Sequence, residues 1–264
     1  MENELRWGIL GASTFALDHM LPAMQLAGQT KCVALATSKP DNAKPFLNIN
    51  PDITVHEDYD LLLQDPNVDA VYIPLPNHLH MKWTKKAIEA GNHVLCEKPI
   101  ALKAAEIDEL IQLRVTSGLV VAEAYMIVHH PQWQYAKGLL KSGVIGDLVQ
   151  VDGVFSYNNR ADVTNIRNNA TTGGGSLPDI GVYTLGSTRF MTEEEPKEIL
   201  HSSITWENGV DVWASVTAQF PSFQFIGVTS MRMQPRQEMN FQGTEGLIRL
   251  TAPFNPQVFG QAEV

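Results

Sequence analysis

The strongest constraint on this chain is a rhythm: short apolar runs recur at residues 7–10, 32–37, 70–73, 93–96 and 119–124, and stretches with helical apolar spacing separate them. A short continuous apolar run reads as a strand buried on both faces, and strands that alternate with amphipathic helices build a parallel sheet through right-handed crossovers. The first run ends in Gly11-Ala-Ser-Thr14 and is followed by helical spacing over 15–26, which gives strand, turn, helix. Residues 81–90 and 104–114 supply further helices. The fold class is therefore expected to be α/β, with a doubly wound dinucleotide-type domain over residues 1–123.

After Pro131 the rhythm changes. One helix is expected over 133–140, then longer strand-like runs at 148–156, 210–220, 223–231 and 238–241 predict a mainly antiparallel open sheet in a second domain, residues 124–264. Pro221-Ser222 and Gly243-Thr-Glu-Gly246 mark two of its turns. The chain ends at Gln261-Ala-Glu-Val264 inside what reads as a strand, so the carboxy-terminal part is expected to be incomplete.

A chain of 264 residues has room for two modest cores, and 44% hydrophobic with 18% charged residues is a globular composition. A net charge of -10 opposes nucleic-acid binding, which relies on clustered Lys and Arg. Residue runs long enough for a bilayer are lacking, and the amino terminus has no signal-peptide pattern, so a cytoplasmic location without a membrane partner is expected. Cys32 and Cys96 sit in strand-like runs and are expected to be buried thiols. The pairs His78/His80 and His129/His130 lack a third ligand at suitable spacing, so no metal is expected.

The turn Gly11-Ala12-Ser13-Thr14-Phe15-Ala16 keeps only the first glycine of a dinucleotide fingerprint, yet it stands where that fingerprint belongs, between a strand and a helix. Gly11, Ser13, Thr14 and Phe15 are candidate cofactor residues, with a helix cap as the alternative role of Ser13. At the end of the second strand an acid would hold the ribose of NAD and repel the 2'-phosphate of NADP. Here stand Thr37, Ser38 and Lys39, two hydroxyls and a cation, which favour NADP over NAD.

Several segments then form a pattern: Leu95-Cys-Glu-Lys-Pro-Ile100 at a strand end, Val71-Tyr-Ile-Pro-Leu-Pro-Asn-His-Leu-His80, Glu123-Ala-Tyr-Met with His130-Pro131, and Gly173-Gly-Gly-Ser-Leu-Pro-Asp-Ile-Gly-Val-Tyr183. In this order the chain resembles the Gfo/Idh/MocA oxidoreductases from about residue 5 to its end. The Asp-Ile-Gly-x-Tyr form is similar to the branch with glucose-fructose oxidoreductase, NADP-dependent xylose dehydrogenase and dihydrodiol dehydrogenase. The resemblance implies a sugar or polyol substrate and a homodimer or homotetramer formed through the second domain's sheet. It also implies cofactor contacts from Leu75, Pro76, Asn77, His80, Glu97, Lys98 and Arg167, and catalytic roles for Lys98, Tyr183 and Asp179.

Oxidising an alcohol by hydride transfer requires a base for the hydroxyl proton, and the reverse requires the matching acid. Tyr183 can serve as both if a cation lowers its pKa from about 10, and Lys98 is the candidate cation, or itself the group bonded to the reacting oxygen. Asp179 and Tyr183 are four residues apart, which on an α-helix places them on one face, Asp179 for a second hydroxyl. Glu97 contacts the nicotinamide ribose or fixes Lys98, and Pro99 marks either an unusual peptide geometry or a strand stop. Trp133 and Tyr157 either line a sugar pocket or belong to the core. The rival readings are a non-catalytic dinucleotide-responsive protein of the same fold and an enzyme that retains NADP between two half-reactions.

Overall fold

The computed structural model describes residues 4–264, save the side chain of residue 257, and divides into two compact units, Met1–Ala124 and Tyr125–Val264. In the first unit β1 (Leu5–Leu10), α1 (Leu21–Leu26), β2 (Thr30–Ala36), α2 (Lys44–Ile49), β3 (Thr54–His56) and α3 (Tyr59–Leu63) come first. β4 (Ala70–Ile73), α4 (Asn77–Glu89), β5 (His93–Glu97), α5 (Ala104–Ser117) and β6 (Val121–Ala124) complete it. The six strands are ordered β3-β2-β1-β4-β5-β6 and pair in parallel throughout.

Successive strand residues face opposite sides, so the continuous apolar runs fill two layers at once. Leu10, Val71, Ile73 and Val94 pack on one side of the sheet, and Ile9, Leu35 and Tyr72 on the other. Cys32 and Cys96 are buried in β2 and β5. Burial is the main cause that holds their thiols protonated, pushing Cys32 up to about 12 and Cys96, also near the Glu97 and Glu123 charges, higher still.

Local departures have local causes. The helix expected over 15–26 opens with a wide π-helical turn, Ala16–Met20, before α1 begins. β3 and α3 were not anticipated, since three and five residues are too short for a periodicity to show. α3 is nonetheless capped in the ordinary way, because the Asp58 carboxylate accepts the Asp60 N–H at 2.6 Å.

The second unit starts with α6 (Pro131–Lys141), whose first turn is capped by the His130 ring, and β7 (Leu148–Asn158). A π-helical turn, Leu177–Gly181, leads into α7 (Val182–Thr192). β8 (Glu198–Glu207), β9 (Val210–Gln219), β10 (Gln224–Ser230), β11 (Arg232–Gly243), β12 (Leu247–Thr251) and α8 (Pro256–Phe259) follow. The sheet order is β12-β11-β7-β10-β9-β8, antiparallel except where β7 and β10 run parallel. β8 was invisible in the sequence because most of its residues are exposed and carry no apolar alternation. The strand expected at 261–264 reduces to one pairing, Glu263 with Thr251.

Trp133 belongs to the core and not to a sugar pocket. It is fully buried, its indole N–H donates to the Pro253 carbonyl at 2.7 Å, and its ring stacks on Phe254. Phe254 in turn packs on Phe155 and Tyr183. Among the described residues no helix is long and apolar enough to cross a membrane. Trp133→Ala should cost about 3–5 kcal/mol of unfolding free energy in denaturant titration, as expected for a large buried aromatic; a change under about 1 kcal/mol would mean that the ring is not a core member.

Candidate active site

In the first unit the candidate residues cluster at the carboxyl ends of the parallel strands. The strand order reverses between β1 and β4, and in an open α/β sheet a ligand crevice lies outside the strand ends at that switch point. Gly11 leaves β1 with φ of +99°, a conformation that favours glycine, and its N–H is held by the Ala36 carbonyl at 2.9 Å. Ser13 accepts the Ala16 N–H at 3.1 Å, so its hydroxyl caps the π-helical turn. Thr14 and Phe15 are exposed beside it. At the end of β2, Thr37 is buried and its hydroxyl accepts the Lys39 N–H at 3.3 Å, while Ser38 and Lys39 are exposed.

The loop after β4 carries buried Leu75 and half-buried Pro76, and half-buried Asn77 opens α4. His80, expected as a cofactor contact, has a different place. It is fully buried, with Nδ1 at 2.7 Å from the Pro99 carbonyl and Nε2 at 2.6 Å from the Leu75 carbonyl, so the ring is taken up by its own backbone.

β5 ends in Glu97, and Lys98 follows with a cis peptide to Pro99. Glu97 accepts the Tyr72 hydroxyl at 2.6 Å and the Lys98 N–H at 3.3 Å. Burial raises the Glu97 pKa above the usual carboxylate range, opposed by the Tyr72 hydroxyl and the Lys98 charge. Glu123 on β6 accepts the Ile100 N–H at 2.8 Å and so ties down the far side of the same turn.

In the second unit Asp179, Tyr157 and Arg167 come together. The Asp179 Oδ2 accepts the Tyr157 hydroxyl at 2.6 Å and pairs with the Arg167 Nε at 2.9 Å. Arg167, expected at the cofactor, thus stands on the carboxylate assigned to substrate. Its pKa is raised chiefly by the Asp179 charge. Burial first, and then Asp179, push the Tyr157 phenol well above its usual range, so Tyr157 stays a proton donor. Tyr183 is buried, with its ring against Tyr125 and Phe155 and its hydroxyl 3.4 Å from the Met126 sulfur. The simple four-residue spacing of Asp179 and Tyr183 does not apply as expected, because Asp179 lies in the π-helical turn and Tyr183 in α7.

The residue that sequence reasoning missed is Asp211. From β9 its carboxylate accepts the Ser176 hydroxyl at 2.6 Å and the Leu177 N–H at 2.7 Å, which anchors the start of the turn that carries Asp179. Ser176 also shares a hydrogen bond with Thr229 at 2.9 Å. Gly175 adopts φ of +128°, and a Cβ there would stand 2.2 Å from the Asp211 carboxylate. The available signal was a lone acid between two valines of an apolar run, Val210-Asp211-Val212. Among the described residues no group of three or more His, Cys, Asp or Glu is placed to hold a metal ion.

Comparison with known proteins gives a consistent picture. Residues 5–125 match the family described as an oxidoreductase family with an NAD-binding Rossmann fold, and residues 133–249 match the GFO/IDH/MocA C-terminal domain. The dTDP-3,4-didehydro-2,6-dideoxy-alpha-D-glucose 3-reductase of Saccharopolyspora spinosa is 38% identical over 221 residues, 83% of this chain and 66% of that protein. A D-xylose 1-dehydrogenase (NADP(+)) of Haloferax volcanii is 30% identical over 261 residues, 98% of this chain and 80% of that protein. The crystal structure of KijD10, a 3-ketoreductase from Actinomadura kijaniata in complex with NADP and TDP-benzene, superimposes with a TM-score of 0.90 at 29% identity, covering 96% of this chain and 78% of the other.

Asp211→Ala leaves the buried Ser176 hydroxyl and the half-buried Leu177 N–H without this acceptor, which should lower stability by about 1–3 kcal/mol. Thermal unfolding and denaturant titration check this; an unchanged stability would show that the turn holds itself.

Proposed function

Because the chain belongs to the Gfo/Idh/MocA oxidoreductase family, we propose that it is an NADP-dependent enzyme that exchanges a hydride with a hydroxyl or carbonyl carbon of a sugar or related polyol. The observation that carries this reading is the placement of Gly11, Leu75 and Lys98 at strand ends around the switch point of a doubly wound sheet. The chemistry at the end of β2 suits a 2'-phosphate. Ser38 and Lys39 are exposed there, and the next acid, Asp41, is paired with Lys44 at 2.6 Å. The similarity to an NADP-named xylose dehydrogenase and to a ketoreductase solved with NADP supports the same choice.

When bound, the nicotinamide supplies the carbon that gives or takes the hydride. Gly11, Ser13, Thr14 and Phe15 are proposed to hold the diphosphate, Thr37, Ser38 and Lys39 the adenosine ribose phosphate, and Leu75, Pro76, Asn77 and Glu97 the nicotinamide side. Lys98 is assigned to the reacting oxygen and Tyr183 to the exchange of its proton. Asp179 orients a second substrate hydroxyl. Its carboxylate is held in place by Tyr157 and Arg167, which both approach Oδ2. A homo-oligomer built on the second unit's sheet and a cytoplasmic location complete the proposal; exposed Ile199, Leu200 and Trp206 on β8 support the former.

The similarity to keto-sugar reductases favours a second form of the reaction, reduction of a ketone on a nucleotide-linked deoxysugar. A nicotinamide absorbance assay with aldoses, polyols and dihydrodiols plus NADP, and with keto-sugar nucleotides plus NADPH, separates these substrates. Tight NADP binding without turnover anywhere would replace the enzyme reading by a dinucleotide-responsive regulator. Lys98→Met should keep NADP affinity while turnover falls about a hundredfold or more; an equal loss of binding and rate would remove Lys98 from the chemistry. Ser38→Asp should move the preference from NADP toward NAD, and an unchanged ratio would show that the end of β2 does not select the cofactor.

A further inference from the structure

A neutral imidazole carries one N–H and one lone pair. The His80 ring faces a carbonyl oxygen on both sides, Leu75 at 2.6 Å from Nε2 and Pro99 at 2.7 Å from Nδ1, and it is shut off from solvent. Either neutral tautomer would point a nitrogen lone pair at a carbonyl oxygen within hydrogen-bonding distance. Only the doubly protonated ring donates to both.

The two carbonyls belong to the segments assigned to cofactor and chemistry. Leu75 lies in the loop after β4, and Pro99 follows Lys98 at the end of β5. We propose that His80 is a proton-dependent clasp: as the imidazolium it ties the Leu75 loop to the Lys98-Pro99 turn, and on losing one proton it releases one of them. The proposal rests on the reading of these two segments as the cofactor and catalytic segments.

The surrounding charges decide where the clasp opens. Burial opposes the imidazolium most strongly, and the Lys98 ammonium and His78 ring oppose it further, while the two carbonyls favour it. The neighbouring carboxylates are committed elsewhere, Glu97 to Tyr72 and the Lys98 N–H, Glu123 to the Ile100 N–H. The net direction is downward from the ordinary histidine value, so the closed form prevails on the acid side and is lost as pH rises through the lowered pKa.

His80→Gln retains a donor for one carbonyl and cannot titrate. The experiment is a pair of titrations between mildly acidic and mildly alkaline pH. Ring-nitrogen NMR of protein labelled on histidine, with the His80 signal identified by its loss in His80→Gln, reads the protonation; fluorescence titration with NADP reads binding. The expected result is that both His80 nitrogens are protonated at the acid end, that one deprotonates with a pKa below 6.5, and that NADP binding weakens several-fold across the same step. That step should be missing in His80→Gln, whereas the ionisation of the 2'-phosphate persists in both proteins. A single neutral tautomer throughout, or an identical binding profile in folded His80→Gln, overturns the clasp. The NMR signals bear on the clasp alone, and failure of the wild-type protein to bind NADP at any pH bears on the cofactor reading alone.

Discussion

A buried backbone amide or carbonyl needs a partner, and the turns that carry the candidate chemistry have neither ladder nor helix to provide one. In both units a side chain from elsewhere supplies it. His80 on α4 takes the carbonyls of Leu75 and Pro99, Glu123 on β6 takes the Ile100 N–H, and Asp211 on β9 takes the Leu177 N–H. These bonds place the turns, and the turns place Lys98 and Asp179. The positions of the proposed reactive groups therefore depend on side chains from other elements.

Charge is distributed with the same economy. Glu97 is half-buried against the Tyr72 hydroxyl, and Asp179 is buried between a phenol and a guanidinium. Such hydrogen bonds offset part of the cost of taking a carboxylate out of water. Tyr157 is held as a donor by the same pairing, whereas the Tyr183 ring packs against Tyr125, Phe155 and Phe254 with its hydroxyl near the Met126 sulfur. Two tyrosines in one unit thus stand in different surroundings.

Much of the architecture is legible in the sequence. The parallel sheet followed from apolar runs at β1, β2, β4, β5 and β6, and the mixed second sheet from the longer runs at β7, β9, β10 and β11. Motif order identified the family, and the Glu97-Lys98-Pro99 triplet and the glycine run before Tyr183 point to the proposed chemistry. What failed to show was short or exposed: β3 and α3 lack the length for a period, β8 lacks apolar alternation, and the ring of Trp133 gave no sign that Phe254 would cover it.

The sequence by itself determined the order of elements and the residue types available at each strand end, because periodicity, glycine turns and prolines act between neighbours along the chain. Only the tertiary structure decided which buried groups face one another. That His80 would meet two carbonyls, that Arg167 would pair with Asp179, and that a valine-flanked acid on β9 would anchor the turn before α7 are facts of packing between segments distant in the chain. Burial makes each such pairing obligatory once the core has closed, but which atoms it brings together is set by the closure and carries no local mark.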